Sequence, residues 1–250
     1  MIRFENVYKS LGGQPVLRGL SLHIRRGETM VIVGGSGSGK SVSLKHMVGL
    51  LRADAGKVWV ADQDVGQTGG RDLEALRRRF GVLFQSGALL NWMTVEENVA
   101  LPLYEHTDLG DDQIRARARE RLALVHLEGS EAKYPAEISG GMKKRVALAR
   151  ALILEPEILL YDEPTAGLDP VMSRHVDKLI MEMQQQFRVT SVVVTHDLHS
   201  AFAIADRIAM LYEGRVIEVS PPVEFVKSPH PFLQEFIKAQ FESGTVEVKA

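Results

Sequence analysis

Residues 34–41 read Gly34-Gly35-Ser36-Gly37-Ser38-Gly39-Lys40-Ser41, which fits the pattern G-x-x-x-x-G-K-[ST]. Polyphosphate chemistry asks for these residue types. A chain of phosphates is strongly anionic, and backbone N–H groups at a helix N-terminus can cradle it. Glycines let the backbone curl closely around the phosphates. The Lys40 ammonium would reach the β- and γ-phosphates, and the Ser41 hydroxyl would ligate Mg²⁺. The setting agrees. Met30 to Val33 form a short apolar strand entering the turn, and Leu44, Met47, Val48 and Leu51 follow it at helical spacing. The plainer alternative is a flexible Gly/Ser turn, and the full eight-residue pattern in this frame weighs against it.

Outward from the loop, strands and helices alternate. Ile2 and Phe4 alternate with Arg3 and Glu5, and Leu20, Leu22 and Ile24 with Ser21, His23 and Arg25, which reads as two half-buried strands. Ile114, Ala118, Leu122 and Val125 mark one helical face, opened by Asp111 and Asp112, and Met142, Val146, Ala149 and Ile153 mark another. Ile158 to Tyr161 and Ser191 to Thr195 are apolar strands. Between them Val176, Leu179, Ile180, Met183 and Phe187 line a helix. Arg207 to Tyr212 and Arg215 to Val219 flank Glu213-Gly214 as a hairpin. Pro221-Pro222 is expected to end the regular pattern. Phe232, Leu233, Phe236 and Ile237 suggest one last short helix, and the final residues are expected to fray. The expected fold is α/β: a P-loop NTPase core of RecA-like type, an N-terminal antiparallel β-subdomain and an inserted α-helical subdomain. One domain would span 1–230, with the core at 1–85 and 155–230 and the helical insertion at about 86–154. A short C-terminal helix and tail would fill 231–250.

Bulk composition narrows the function classes. The chain has 250 residues, 45% of them hydrophobic and 25% charged, which is ordinary for a globular protein with a sizeable core. A formal charge of -2 gives no reason to expect a nucleic-acid partner. The absence of cysteine excludes disulfides, Cys-ligated zinc and thiol nucleophiles. MIRFENVYKS lacks an apolar h-region, so no signal peptide is expected, and no apolar run approaches a bilayer span. Work at a membrane would need spans from another chain.

The loop alone is shared by kinases, GTPases and helicases. The choice comes from Ile138-Ser139-Gly140-Gly141-Met142 at the mouth of a helix, which resembles the signature of ABC ATPases, normally LSGGQ. Other motifs of that family follow in its order. Gln85 resembles the Q-loop glutamine. Ile158-Leu159-Leu160-Tyr161-Asp162-Glu163 resembles the Walker B strand with its catalytic glutamate. Ala166-Gly167-Leu168-Asp169 resembles the D-loop, and His196 the switch histidine. The resemblance covers roughly 1–230. It implies that ATP is bound by Gly34, Gly35, Ser36, Gly37, Ser38, Gly39, Lys40, Ser41 and Val42, and by Ser139, Gly140, Gly141 and Asp169. Mg²⁺ would be held by Ser41, Gln85 and Asp162, and catalysis carried by Glu163, His196 and Gln85. Taken alone, Asp162-Glu163 is a solvated pair at a strand end, Gln85 a surface amide and His196 a polar strand terminus. The other seven histidines show no ligand spacing. In this family the signature acts on nucleotide held by a second subunit, which implies that two copies, or this chain and a close paralogue, pair; a homodimer of ATPase subunits closed by ATP is expected.

The stretches GGSGSGKSVSLKHMVGLL and FGVLFQSGALLNWMTVEENVALPL, together with ISGGM, resemble the Mce/Mla-type ATPases. These power lipid movement between membranes in Gram-negative bacteria, actinobacteria and plastids. That resemblance implies an integral membrane permease, an MCE-domain substrate-binding protein and, in some systems, a small STAS-domain protein. It implies a peripheral location on the cytoplasmic face of the inner (plasma) membrane. The cargo would be phospholipid or a related hydrophobic compound. The sequence departs from the wider family in three places. Val42 replaces a common Thr near the α-phosphate. Met142 replaces the signature glutamine. Leu11 stands where an aromatic usually stacks on adenine, with Tyr8 nearby, so only a modest preference for ATP over GTP is expected. Residues 86–102 carry Leu89, Leu90, Trp92 and Met93, and this surface accepts the permease in transporters. Packing within the helical insertion is the alternative for each of those side chains. Two competing functions stand beside lipid transport: an importer ATPase for a polar solute such as an amino acid, and a soluble ABC ATPase acting on nucleic acid or ribosomes. The second usually carries two cassettes or long insertions, and this chain has one loop and one signature.

Overall fold

The computed structural model describes residues 1–241, so the expectation of a frayed end falls on 242–250, outside the described residues. In chain order the elements are β1 (Ile2–Leu11), β2 (Gln14–Ile24), β3 (Thr29–Val33), α1 (Lys40–Met47), β4 (Ala55–Val60), β5 (Gln63–Asp64), α2 (Gly70–Arg78), β6 (Phe80–Leu83), α3 (Val95–His106), α4 (Asp111–Leu124), α5 (Gly140–Leu152), β7 (Ile158–Asp162), α6 (Pro170–Phe187), β8 (Thr190–Thr195), α7 (Leu198–Ile204), β9 (Arg207–Tyr212), β10 (Arg215–Ser220), α8 (Pro222–Phe225) and α9 (Pro231–Phe241). They form two compact units, one of residues 1–77 with 190–241 and one of Arg78–Val189. The α/β fold expected from the motifs is the fold observed, including the antiparallel sheet at the N-terminus.

The first unit holds two sets of strands. An antiparallel sheet runs β2-β1-β4-β5. Its inward residues are the alternating apolar ones, with Ile2 opposite Ile24 and Phe4 opposite Leu22, all buried. The second set runs β10-β9-β3-β8, with β3 parallel to both β8 and β9. β3 is buried along its whole length, which explains its unbroken apolar run. The β9–β10 pair is the expected hairpin, and Glu213 and Gly214 both take positive φ in its turn.

Three local features differ from expectation. α1 stops at Met47, because the chain turns at Gly49 with φ 67, so Leu51 lies beyond the helix. β4 joins the first sheet beside β1. Pro222 opens the short α8 rather than ending regular structure, since a proline at the first helical position forfeits no helix hydrogen bond.

The second unit pairs β6 and β7 in parallel and adds α3, α4, α5 and α6. Thr94 and Glu97 close a reciprocal capping box at the start of α3, which satisfies two otherwise orphaned N–H groups. Ile114, Ala118 and Leu122 form the buried stripe of α4, as their spacing predicts. Val146 and Ala149 on α5 are buried likewise. No helix among the described residues is long and apolar enough to cross a membrane.

Candidate functional site

In the first unit β3 delivers the chain into the loop 34–39, and α1 begins at Lys40. The glycines at the two ends of this loop are required by space and conformation. A Cβ at Gly34 would lie 2.3 Å from the Leu211 carbonyl oxygen. Gly39, the residue before α1, has φ 108 and would place a Cβ 2.8 Å from Leu17. No side chain caps the N-terminus of α1 and its first turn holds no acidic residue. The Lys40 ammonium, buried, donates to the carbonyls of Gly34 at 2.8 Å and Gly35 at 3.0 Å. The Ser38 hydroxyl is buried without a hydrogen-bond partner. An uncapped helix start, a buried ammonium and an orphaned hydroxyl around one glycine loop fit an anionic phosphate chain. Ser36, Gly37 and Ser41 are exposed; Gly35 and Val42 are half-buried.

His196 follows β8 directly. Val33 and Thr195 are register partners on adjacent parallel strands, so Gly34 and His196 leave the same end of the sheet. The residues flanking this exposed histidine are held by Gln240 of α9. Its amide nitrogen donates to the His196 carbonyl at 2.7 Å and its amide oxygen accepts the Leu198 N–H at 2.8 Å. Asp197 caps α7, accepting from the His199 and Ser200 N–H groups. Leu11 and Tyr8 are both partly exposed on β1, and the Tyr8 ring lies against Gly19.

The second unit carries the remaining predicted residues. Leu83 and Tyr161 are register partners, so Gln85 and the Asp162-Glu163 pair leave the same end of β6 and β7. Asp162 and Glu163 are half-buried and Gln85 is exposed. Glu163 has φ 47, a conformation that costs a non-glycine residue about 1–3 kcal/mol. Ser139 caps α5, its hydroxyl accepting the Met142 N–H at 3.3 Å. Gly140 and Gly141 face Leu168 and Met172, so the signature start packs against the segment that opens α6. Asp169 caps α6, accepting from the Val171 and Met172 N–H groups at 2.9 and 3.0 Å. Among the described residues no three His, Cys, Asp or Glu side chains form a ready-made metal cluster.

Sequence reasoning missed the side chains that hold these segments. Lys144 of α5 is buried and donates to the carbonyls of Gln85 and Glu163. Burial pulls its pKa below the ordinary lysine value, and the Asp162 and Glu163 carboxylates oppose that drop. Arg150, also on α5, donates to the Ala88 and Gly87 carbonyls, each at 2.8 Å. The only signal for either was a basic residue on an otherwise apolar helix face.

A family model for the ABC transporter matches residues 17–166. The probable ribonucleotide transport ATP-binding protein Mkl of Mycobacterium tuberculosis is 40% identical over 96% of this chain and 67% of its own length. Protein trigalactosyldiacylglycerol 3 of Arabidopsis thaliana, a chloroplast protein, is 41% identical over 94% of this chain and 73% of its own. A dimeric post-hydrolysis structure of the ATP-binding cassette MJ0796 with ADP and Pi has a TM-score of 0.81 and 33% identity, covering 89% of this chain and 99% of that one. CbiO1 of Clostridium perfringens, part of the transporter complex CbiONQ, has a TM-score of 0.83 and 30% identity, covering 96% and 93%. With the phosphate loop and the ordered motifs in place, the chain belongs to the ABC transporter family as an ATP-hydrolysing subunit.

Proposed function

We propose that this subunit drives the movement of a phospholipid or related hydrophobic compound through a separate membrane permease. The observation that carries the reading is the 41% identity, across 94% of the chain, to a protein named for a galactolipid. The ISGGM signature, with Met142 in place of glutamine, supports it. So does Trp92, 75% exposed and followed by the half-buried Met93, on the segment expected to meet the permease. We read residues 86–154 as the helical insertion that carries this surface. An MCE-domain protein, joined in some systems by a small STAS-domain protein, would complete the assembly on the cytoplasmic face of the inner membrane.

The chemistry assigns each half of the site a task. The loop 34–42 holds the phosphates of ATP, with the Lys40 ammonium leaving its two carbonyls for the β- and γ-phosphates. Mg²⁺ neutralises developing phosphate charge when bound, and the Ser41 hydroxyl, the Gln85 amide and the Asp162 carboxylate are the oxygen donors suited to it. Such a partial donor set suits Mg²⁺, which keeps waters and phosphate oxygens among its ligands. Glu163 orients the attacking water and His196 contacts the γ-phosphate. Ser139, Gly140, Gly141 and Asp169 act on the nucleotide of the partner subunit in a homodimer. The dimeric form of the MJ0796 cassette supports that arrangement.

A second reading has its own support. The methionine import ATP-binding protein MetN of Mesorhizobium japonicum is 41% identical over 88% of this chain and 60% of its own length, which favours a polar solute. Purification with the native permease followed by mass spectrometry of bound small molecules decides between them. Stoichiometric phospholipid or a comparable hydrophobic compound is the expected result. A bound amino acid or other polar solute, with no specific lipid, overturns the lipid reading.

A further inference from the structure

Lys144 has no part in the phosphate, metal or water roles described above, yet it is 6% exposed, and a buried ammonium is costly unless its protons are used. Its acceptors are two backbone carbonyls that belong to different segments, Gln85 after β6 and Glu163 after β7. Both segments carry strain. Glu163 and Ala88 have φ 47, in the left-handed region that non-glycine residues avoid. The turn after Glu163 brings the Ala166 N–H to the same carbonyl at 3.2 Å. Arg150 fixes the far side of the other segment through Gly87 and Ala88. Lys144 and Arg150 both stand on α5, the helix that opens with Ser139, Gly140 and Gly141. One rigid element therefore carries the signature and grips both strained segments.

We propose that Lys144 is a positioning residue for ATP hydrolysis, its ammonium tying the carbonyls of Gln85 and Glu163 to the signature helix so that the amide and the carboxylate keep one geometry. The proposal rests on the roles given above to Gln85 and Glu163. It separates two steps of the cycle. ATP is held by the loop 34–42 and does not need Lys144, whereas turnover depends on where the Glu163 carboxylate points. Misplacement of a reacting group by about 1 Å costs on the order of a hundredfold in rate.

The test compares Lys144→Met, which keeps the aliphatic stem and deletes the donors, with Lys144→Arg, which keeps charge and donors. Steady-state ATPase activity with Mg²⁺ and the affinity for a fluorescent ATP analogue are measured on the full chain, with Glu163→Gln alongside. Lys144→Met is expected to lower kcat roughly ten- to a hundredfold while affinity changes less than about threefold. Lys144→Arg is expected to recover most of the loss. The proposal is overturned if Lys144→Met keeps kcat within about twofold of the parent, or if nucleotide binding and melting transition are lost together with turnover, which would make Lys144 a folding residue. Full hydrolysis by Glu163→Gln sinks the underlying role of Glu163 instead. A dead Glu163→Gln beside an active Lys144→Met sinks only the role of Lys144.

Discussion

The phosphate loop of the first unit is shaped by its own backbone, whereas the Gln85 and Glu163 segments of the second unit are held by side chains reaching in from α5. In the loop, Gly34 and Gly39 take positions no other residue fits, α1 offers an uncapped N-terminus, and the Lys40 ammonium sits on carbonyls of the same turn. In the second unit, Glu163 and Ala88 take strained conformations without being glycine, and Lys144 and Arg150 hold them by their carbonyls. A site made of backbone has to be written as a local motif, since glycine is the residue that permits it. Braces supplied by distant side chains, such as Lys144 and Arg150, leave no local motif. Binding and turnover should therefore fail separately, and the two units offer separate ways to check this.

The largest effect is expected for Lys40→Ala. It removes an ammonium whose charge-assisted contacts contribute roughly 1.5–3 kcal/mol, so ATP affinity should fall on the order of 10- to 100-fold in a calorimetric titration. Unchanged affinity would mean that the loop does not hold the phosphates through Lys40. A smaller effect is expected for Gln240→Ala. It deletes two neutral hydrogen bonds around His196, but β8 still anchors Thr195 in register with Val33. Turnover should fall about two- to tenfold with ATP affinity unchanged, the equivalent of one such bond at roughly 0.5–1.5 kcal/mol. A loss of affinity equal to that of Lys40→Ala would erase the contrast between a backbone-built loop and its side-chain braces.

Most of the fold was legible because hydrophobic period and burial coincide in the elements that matter. Met30 to Val33 and Ile158 to Tyr161 read as buried strands and are fully buried. Ile114, Ala118 and Leu122 read as one helical face and share one. β4 was not legible, since its place beside β1 depends on a pairing between residues some fifty positions apart, such as Phe4 with Val58. At the candidate site, the loop and the signature announced themselves through glycine spacing. The left-handed turn at Glu163 did not, because no residue there favours it and Lys144, nineteen positions upstream, helps to hold it. Gln240 was invisible for the same reason, its contacts to His196 and Leu198 lying more than forty residues away.

The central claim is that this chain carries half of each ATP site and completes it with a second copy. Glu163→Gln should bind ATP without turning it over, leaving the closed form to accumulate. Sedimentation of that variant with saturating ATP and Mg²⁺, alone and with its permease, is the most direct measurement. A shift to twice the mass of the 27.7 kDa chain, reversed by replacing ATP with ADP, is the predicted result. A monomer in ATP, even when the permease is present, would contradict the account.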